Sequence, residues 1–157
     1  MLESKYFDLF NENKLSKQLS NVGIKYENWR IEFGARQENL DFFTDYILDY
    51  EKFAKSEQFQ SGLKKINEHL LKNGKNICLM CAEIDPINCH RAILCAREIA
   101  KSESQIEHII LKRNGENIFE SQIDFEKRLK TSLKVNNLCE AYRKQNKKIG
   151  YKLTTNN

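Results

Sequence analysis

Nothing in the sequence approaches the roughly 18 consecutive apolar residues that a membrane-spanning helix needs. The first residues, MLESKYFDLF, have neither a basic stretch nor an apolar core, so no signal peptide is expected. Glycine-rich phosphate loops, internal repeats and low-complexity segments are all missing. The five cysteines form no framework spacing, and an odd number argues against a disulfide scaffold. A reducing, cytoplasmic setting is the expectation that follows. The chain has a single proline, Pro86, and it sits where the reactive side chains are densest.

What is present suits one soluble globular domain. Charged residues make up 31% and hydrophobic ones 40% of 157 residues, enough to bury a core and unlike a disordered chain. The net charge of +4 allows a polyanionic partner without requiring one. Patterning predicts a single α/β domain over residues 1–157. Its core spans 14–133, and a basic helical extension follows over 134–151.

The organising stretch is Asn76 to Ala100, NICLMCAEIDPINCHRAILCAREIA. Ile77 to Cys81 is apolar without alternation, as in a strand covered on both faces of a parallel sheet. Apolar residues at Ala92, Ile93, Ala96, Ile99 and Ala100 then recur on one helical face. Strand, loop and helix in this order place the loop beyond a strand's carboxyl end, where open parallel sheets bind ligands. Either Asp85 caps the helix with Pro86 at its first position, or Asn88 caps it after an Asp85-Pro86 turn.

Two cysteines, two carboxylates, a histidine and an arginine fall between Cys81 and Arg91. A cation in a first helical turn opposes the helix dipole by roughly 0.3–1 kcal/mol, a cost that a bound anion would reverse. Arg91 therefore reads as an anion anchor or as an internal fastener of the loop to Glu83 or Asp85. His90 can exchange protons near neutral pH, with Glu83 orienting it or acting as base. Cys81 and Cys89 read as buried small hydrophobes or, beside a helix mouth, as reactive thiols. No metal ligand set is assigned and no cofactor is expected. Zinc through Cys81, Cys89 and His90 stays as a lesser alternative, because paired C-x-x-C spacing is lacking and neighbouring Cys89 and His90 are not expected to face one ion.

The segment Cys81-Ala-Glu-Ile-Asp-Pro-Ile-Asn-Cys-His-Arg91 resembles the signature of a bacterial family, domain of unknown function 488. Gly23-Ile24-Lys25-Tyr26, followed by Phe33-Gly34-Ala35-Arg36, is similar to a second stretch of that family. His108-Ile109-Ile110 with Asn114-Gly115, and the tail Glu140 to Tyr151, resemble further segments. The resemblance implies Arg36 as a ligand-binding residue. The family's usual leading strand, helix and second strand have no counterpart here. The expectation is thus an N-terminally truncated sheet with an exposed edge open to self-association or a partner.

Elsewhere, Asn13 is expected to cap a helix over 14–21 that Gly23 ends. Ile24 to Ile31 reads as a strand, with Tyr26 and Trp29 in the core or lining the pocket. Asn39 to Lys72 reads as helical, broken at Ser56 or at Ser61-Gly62, with Asn73-Gly74 as its end. Its aromatic residues Phe42, Phe43, Tyr46, Tyr50 and Phe53 read as core. Glu107–Leu111 and Asn117–Phe119 flank a tight Asn114-Gly115 turn. Ser121 is expected to cap a helix over 122–133, and Asn137 to Lys148 forms a basic amphipathic helix.

The fold expected is a three-layer α/β domain with a short, mainly parallel sheet. Three functions fit. The first is an enzyme, or the remnant of one, binding a small anionic, phosphate-bearing ligand through Arg91, Arg36 and Tyr26, with Cys81, Glu83, Cys89 and His90 as its chemistry. The second is a nucleic-acid-associated module using the loop and the basic tail. The third is an inactive shortened paralogue acting through association.

Overall fold

The computed structural model describes residues 11–73, 76–102, 104–112 and 114–153. The chain divides into two compact units, one ending at Arg30 and one beginning at Ile31.

In the first unit, α1 (Glu12–Asn21) starts slightly before the expected position, with Asn11 as its N-cap residue. Its end is the expected glycine stop. Gly23 takes φ +76°, its N–H donates to Ser20 O at 3.0 Å, and the Ile24 N–H donates to Leu19 O at 2.9 Å. This double closure satisfies carbonyls that the last turn leaves open, and only a residue tolerant of positive φ suits it. The strand expected over Ile24 to Ile31 does not form; residues 24–29 have no regular structure. A strand needs a partner for its backbone, and Asn28 supplies a local alternative. Its Nδ2 donates to Glu12 Oε2 at 2.8 Å, while its Oδ1 accepts the Arg30 N–H at 3.0 Å and opens the short α2 (Arg30–Phe33).

The second unit is a mixed α and β fold. The region expected to be one helical run from Asn39 instead contains a 3-10 turn, Leu40–Phe42, and a hairpin of β1 (Phe43–Thr44) and β2 (Ile47–Leu48). Asp45 and Tyr46 connect the strands at φ 50° and 61°. Two consecutive left-handed residues match the strand twist of a tight hairpin. β2 gains a further partner from the chain's tail, through Leu48 N–H to Tyr151 O at 2.8 Å and Leu153 N–H to Tyr46 O at 3.0 Å. Asp49 then caps α3 (Tyr50–Ala54), accepting from the Glu51 and Lys52 N–H groups. Ser56 makes the next break, its Oγ accepting the Phe59 N–H at 3.2 Å inside α4 (Glu57–Asn73). Of the two breaks considered, Ser56 is the one used, and Ser61-Gly62 lies within α4. The Asn73-Gly74 signal falls partly outside the described residues.

No strand forms over 77–81, and the two sheets described are antiparallel pairs, β1–β2 and β3–β4. The mainly parallel sheet is therefore corrected. Residues 77–81 are exposed or half-buried instead, because an unbroken apolar run carries no information about a neighbour that would cover it. Among the described residues no strand lies alongside this one, and Met80 is left 60% exposed. β3 (Glu107–Leu111) and β4 (Asn117–Ser121) do form the expected hairpin, paired from Glu107↔Ser121 to Leu111↔Asn117, with Gly115 at φ +82° in the turn.

Ser121 ends β4 and caps α6 (Gln122–Leu133), its Oγ accepting the Asp124 N–H at 3.1 Å. Asn137 likewise caps α7 (Leu138–Ile149). α6 packs on α7 and on both strands of the second hairpin; α7 also packs on Pro86–Asn88 and on the helical segment after it. Ala141, Tyr142 and Gln145 of α7 are buried, so this helix closes part of the core. The aromatic run is mostly interior as expected: Phe53 and Phe59 are fully enclosed, Tyr50 and Phe43 nearly so, and Tyr46 points outward at 66% exposure. Phe59 sits edge-on to Phe33 at 5.0 Å and to Phe53 at 5.4 Å. These edge-to-face contacts add to simple burial.

Gly62 lies in α4 against this aromatic knot. A Cβ there would stand 2.6 Å from the Phe33 ring. Alanine normally stabilises a helix interior by about 1 kcal/mol over glycine. Here the overlap outweighs that gain, so Gly62→Ala is expected to lower stability by about 1–3 kcal/mol. Urea unfolding measures it, and a raised midpoint would refute the packing described.

Candidate functional site

The loop from Cys81 to His90 is held by side chains from distant parts of the second unit. Asp85 caps the 3-10 turn Pro86–Asn88, with Pro86 at its first position, and accepts the Ile87 N–H at 3.0 Å. The cap expected for a long helix thus serves a single turn. Arg128 of α6 forks onto Glu120 at 2.7 Å through both Nε and Nη2, and its Nη1 donates to Asp85 Oδ1 at 3.0 Å. Gln145 of α7 donates to the Ile87 carbonyl at 2.8 Å, and Pro86 is enclosed. Before the loop, Arg91 Nη1 donates to the Leu79 carbonyl at 3.0 Å. Arg91 therefore is a fastener in part, but its partner is a backbone oxygen and not Glu83 or Asp85. Asp85 is taken by Arg128.

The backbone changes direction between two adjacent residues. Cys89 is extended at φ −111°, ψ 126°, and His90 is helical at φ −58°, ψ −29°. The Cys89 carbonyl accepts the N–H groups of Ala92 and Ile93, both at 3.1 Å. A π-helical segment, Arg91–Ala96, follows and runs into α5 (Arg97–Ala100). Residues 92–96 are all buried, which accounts for the apolar face expected here and extends it around the helix. Wide π turns are rare and recur at functional sites.

This geometry brings Cys81, Glu83, Cys89 and His90 together, with one polar side-chain atom of each lying within 4.8 Å of all the others. The Cys81 thiol donates to Glu83 Oε2 at 2.6 Å, and its sulfur lies 3.5 Å from His90 Nδ1. Cys89 is wholly enclosed, Cys81 and His90 are half-buried, and Glu83 is exposed. The neighbouring Cys81 thiol holds the Cys89 thiol below its ordinary pKa, aided by the Arg91 charge and the Arg91 backbone N–H. The Cys89 sulfur, with burial and Glu83, pushes Cys81 well above the usual thiol range against the opposing pull of His90. Burial raises Glu83, but hydrogen bonds from Cys81 and from its own backbone, with the His90 charge, leave it below the usual carboxylate value. The helix mouth thus favours charge on a sulfur of the chain itself.

Sequence reasoning missed two neighbours. Tyr50 is 2% exposed, and its hydroxyl is buried without a hydrogen-bond partner. Burial raises its pKa, and so do the charges of Cys95, Cys89, Cys81 and Glu83. Cys95 is enclosed on the π segment, its thiol pushed up to about 12 by burial. No local pattern could reveal Tyr50, which enters from α3; its only sequence mark was the aromatic run. Two further residues were expected at the site, Arg36 and Tyr26. Arg36 lies over the Tyr151 ring at 6.0 Å. Tyr26 belongs to the first unit, where burial and Glu12 raise its pKa.

The family described as domain of unknown function DUF488 matches residues 3–97, and the chain belongs to it. The match takes in the whole cluster and ends before β3 and the last two helices. Comparison with curated proteins and with solved structures gave no match.

Because the folded-state pKa of Cys89 is depressed, its ionisation stabilises the fold above the ordinary thiol pKa of about 8.5. That contribution fades as pH falls through the depressed value. A thiolate absorbance titration is expected to show one early transition. It should vanish in Cys89→Ser, move up in Cys81→Ala, which removes the donor, and move down in Glu83→Gln, which removes a repelling charge. A transition insensitive to Cys81→Ala would refute the thiol pairing.

Proposed function

We propose that the chain is an enzyme, or one that has lost part of its machinery, acting on a small anionic, phosphate-bearing ligand at the Cys81–Arg91 loop. The observation that carries this reading is the convergence of Cys81, Glu83, Cys89 and His90, with all four polar atoms within 4.8 Å. Cys81 lies at hydrogen-bond distance from both Glu83 and His90, and titratable groups of different chemistry packed this closely are a mark of functional sites. Glu83 is exposed and held below the usual carboxylate range, so it is the base. His90 is the second proton-exchanging group. Arg91 spends one donor on Leu79, and a guanidinium has further N–H groups with which to grip a phosphate.

A nucleic-acid role for α7 has less support. Arg143 pairs with Glu51 at 3.1 Å and Lys144 with Glu140 at 2.9 Å, which spends two of the four cations expected to grip a backbone. Lys147 and Lys148 lie in the helix's last turn, where they complement its dipole. Among the described residues no helix is long and apolar enough to cross a membrane.

Inorganic phosphate serves as the test ligand. It is expected to slow hydrogen exchange at the amides of the Cys81–Arg91 loop, and Arg91→Ala should weaken that protection by about tenfold to a hundredfold in phosphate concentration, the worth of a hydrogen bond to a charged group. Arg91→Lys should fall between. Protection that survives Arg91→Ala, or none in the unaltered chain, would overturn the reading. A response to added salt as steep as the response to phosphate would point to polyanion binding instead.

A further inference from the structure

The cluster concentrates two sulfurs, a ring nitrogen and a carboxylate oxygen in one small volume. From this geometry we propose that Cys81, Glu83, Cys89 and His90 bind a single divalent cation of the zinc class. Thiolate, imidazole and carboxylate are zinc's ligands, whereas magnesium and calcium take oxygen alone.

The distances fit. Zinc bonds of about 2.0–2.3 Å in a tetrahedron set ligand atoms roughly 3.3–3.8 Å apart. Cys81 Sγ and His90 Nδ1 are 3.5 Å apart already, and the whole set lies within 4.8 Å. Cys81 Sγ and Glu83 Oε2, at 2.6 Å, share a proton that an ion would replace, and they must separate by about 1 Å. Glu83 is exposed on the loop and free to make that move, while the other three are fixed by the helix start and the packed floor.

Adjacency of Cys89 and His90, which counted against zinc from sequence, is resolved by the backbone. One residue is extended and the next helical, so side chains that would diverge within a regular element converge here. Surrounding groups also suit an ion. Arg91, directly after His90, is fastened to the Leu79 carbonyl at 3.0 Å and so steadies the helix start that carries His90. Arg128 and Gln145 hold the loop in place from outside. The inference also explains how a cluster rich in negative charge could face an anionic ligand; that part rests on the proposed function, whereas the ion site rests on geometry alone. Cys81, Cys89 and His90 would hold the ion, and Glu83 would be the ligand that exchanges, released to serve as base when substrate arrives.

Cobalt(II) is the probe. The full chain, purified under reducing conditions and stripped with a chelator, is titrated with Co(II). One equivalent is expected to give tetrahedral visible bands and a sulfur-to-cobalt charge-transfer band, both bleached by one equivalent of Zn(II). Cys81→Ser should diminish the charge-transfer band, and Cys81→Ser and His90→Asn should each weaken binding at least tenfold. Exposed Cys78 and Cys139 lie outside the set, so their serine variants should match the unaltered chain. Cys89 is enclosed, so Cys89→Ser is read alongside circular dichroism; if it unfolds, Cys81→Ser and His90→Asn decide. Absence of the charge-transfer band in the unaltered chain, or its full retention in both of those variants, would overturn the inference. A cobalt band without phosphate protection would leave the ion site standing and remove the anionic ligand. Protection without the band would do the reverse.

Discussion

The site depends on the change of backbone state between Cys89 and His90. An extended residue followed directly by a helical one turns a sulfur and an imidazole to the same side. It also aims the first turn's N–H groups at Cys89, whose carbonyl takes those of Ala92 and Ile93. The five enclosed residues from Ala92 to Ala96 anchor the downstream side of this corner, and the capped turn at Pro86 anchors the upstream side. Neither half would hold the sulfur in place by itself.

Electrostatics in this corner differ from a simple anion pocket. The helix mouth and Arg91 are matched first to an internal partner, the Cys89 sulfur. The Cys81 thiol donates to the Glu83 carboxylate at 2.6 Å, and the Cys89 sulfur and Glu83 both disfavour its ionisation. Burial makes such arrangements costly unless every group is satisfied. Among the described residues of the second unit, two buried polar atoms stay without a partner, the Tyr50 hydroxyl and Gln145 Oε1. Unspent polar atoms in the interior are a common mark of a place where something else binds.

Features set by a few neighbouring residues were legible in the sequence. The stop at Gly23, the break at Ser56, the Asn114-Gly115 hairpin, the Ser121 cap and the Asp85-Pro86 cap each rest on one residue's own preferences. The reactive cluster was legible as density along the chain, since all four members fall within ten positions, Cys81 to His90. Partner choice across distance was not legible. Arg91 chose a carbonyl and Arg128 crossed from α6 to Asp85, and neither choice leaves a local mark. The run Ile77 to Cys81 looked like an interior strand from its apolar composition alone, yet none of its residues is buried, because composition names no neighbour to cover or pair with it. The spacing of Leu40, Phe43 and Ile47 imitated a helix, although the bend at Asp45-Tyr46 and pairing with the tail made a hairpin.

That tail pairing bears on the order in which the molecule can assemble. Leu48 receives Asn146 on its carbonyl and gives its N–H to Tyr151, while the Tyr50 N–H is accepted by Asn146. All of these partners lie roughly a hundred residues downstream. A ribosome emitting the chain from its amino end therefore releases β2 and the start of α3 long before their backbone groups can be satisfied. Until the final stretch emerges, this edge, and Tyr50 next to it, waits in solvent. Closure of that long loop is the late step that completes the wall behind the thiols.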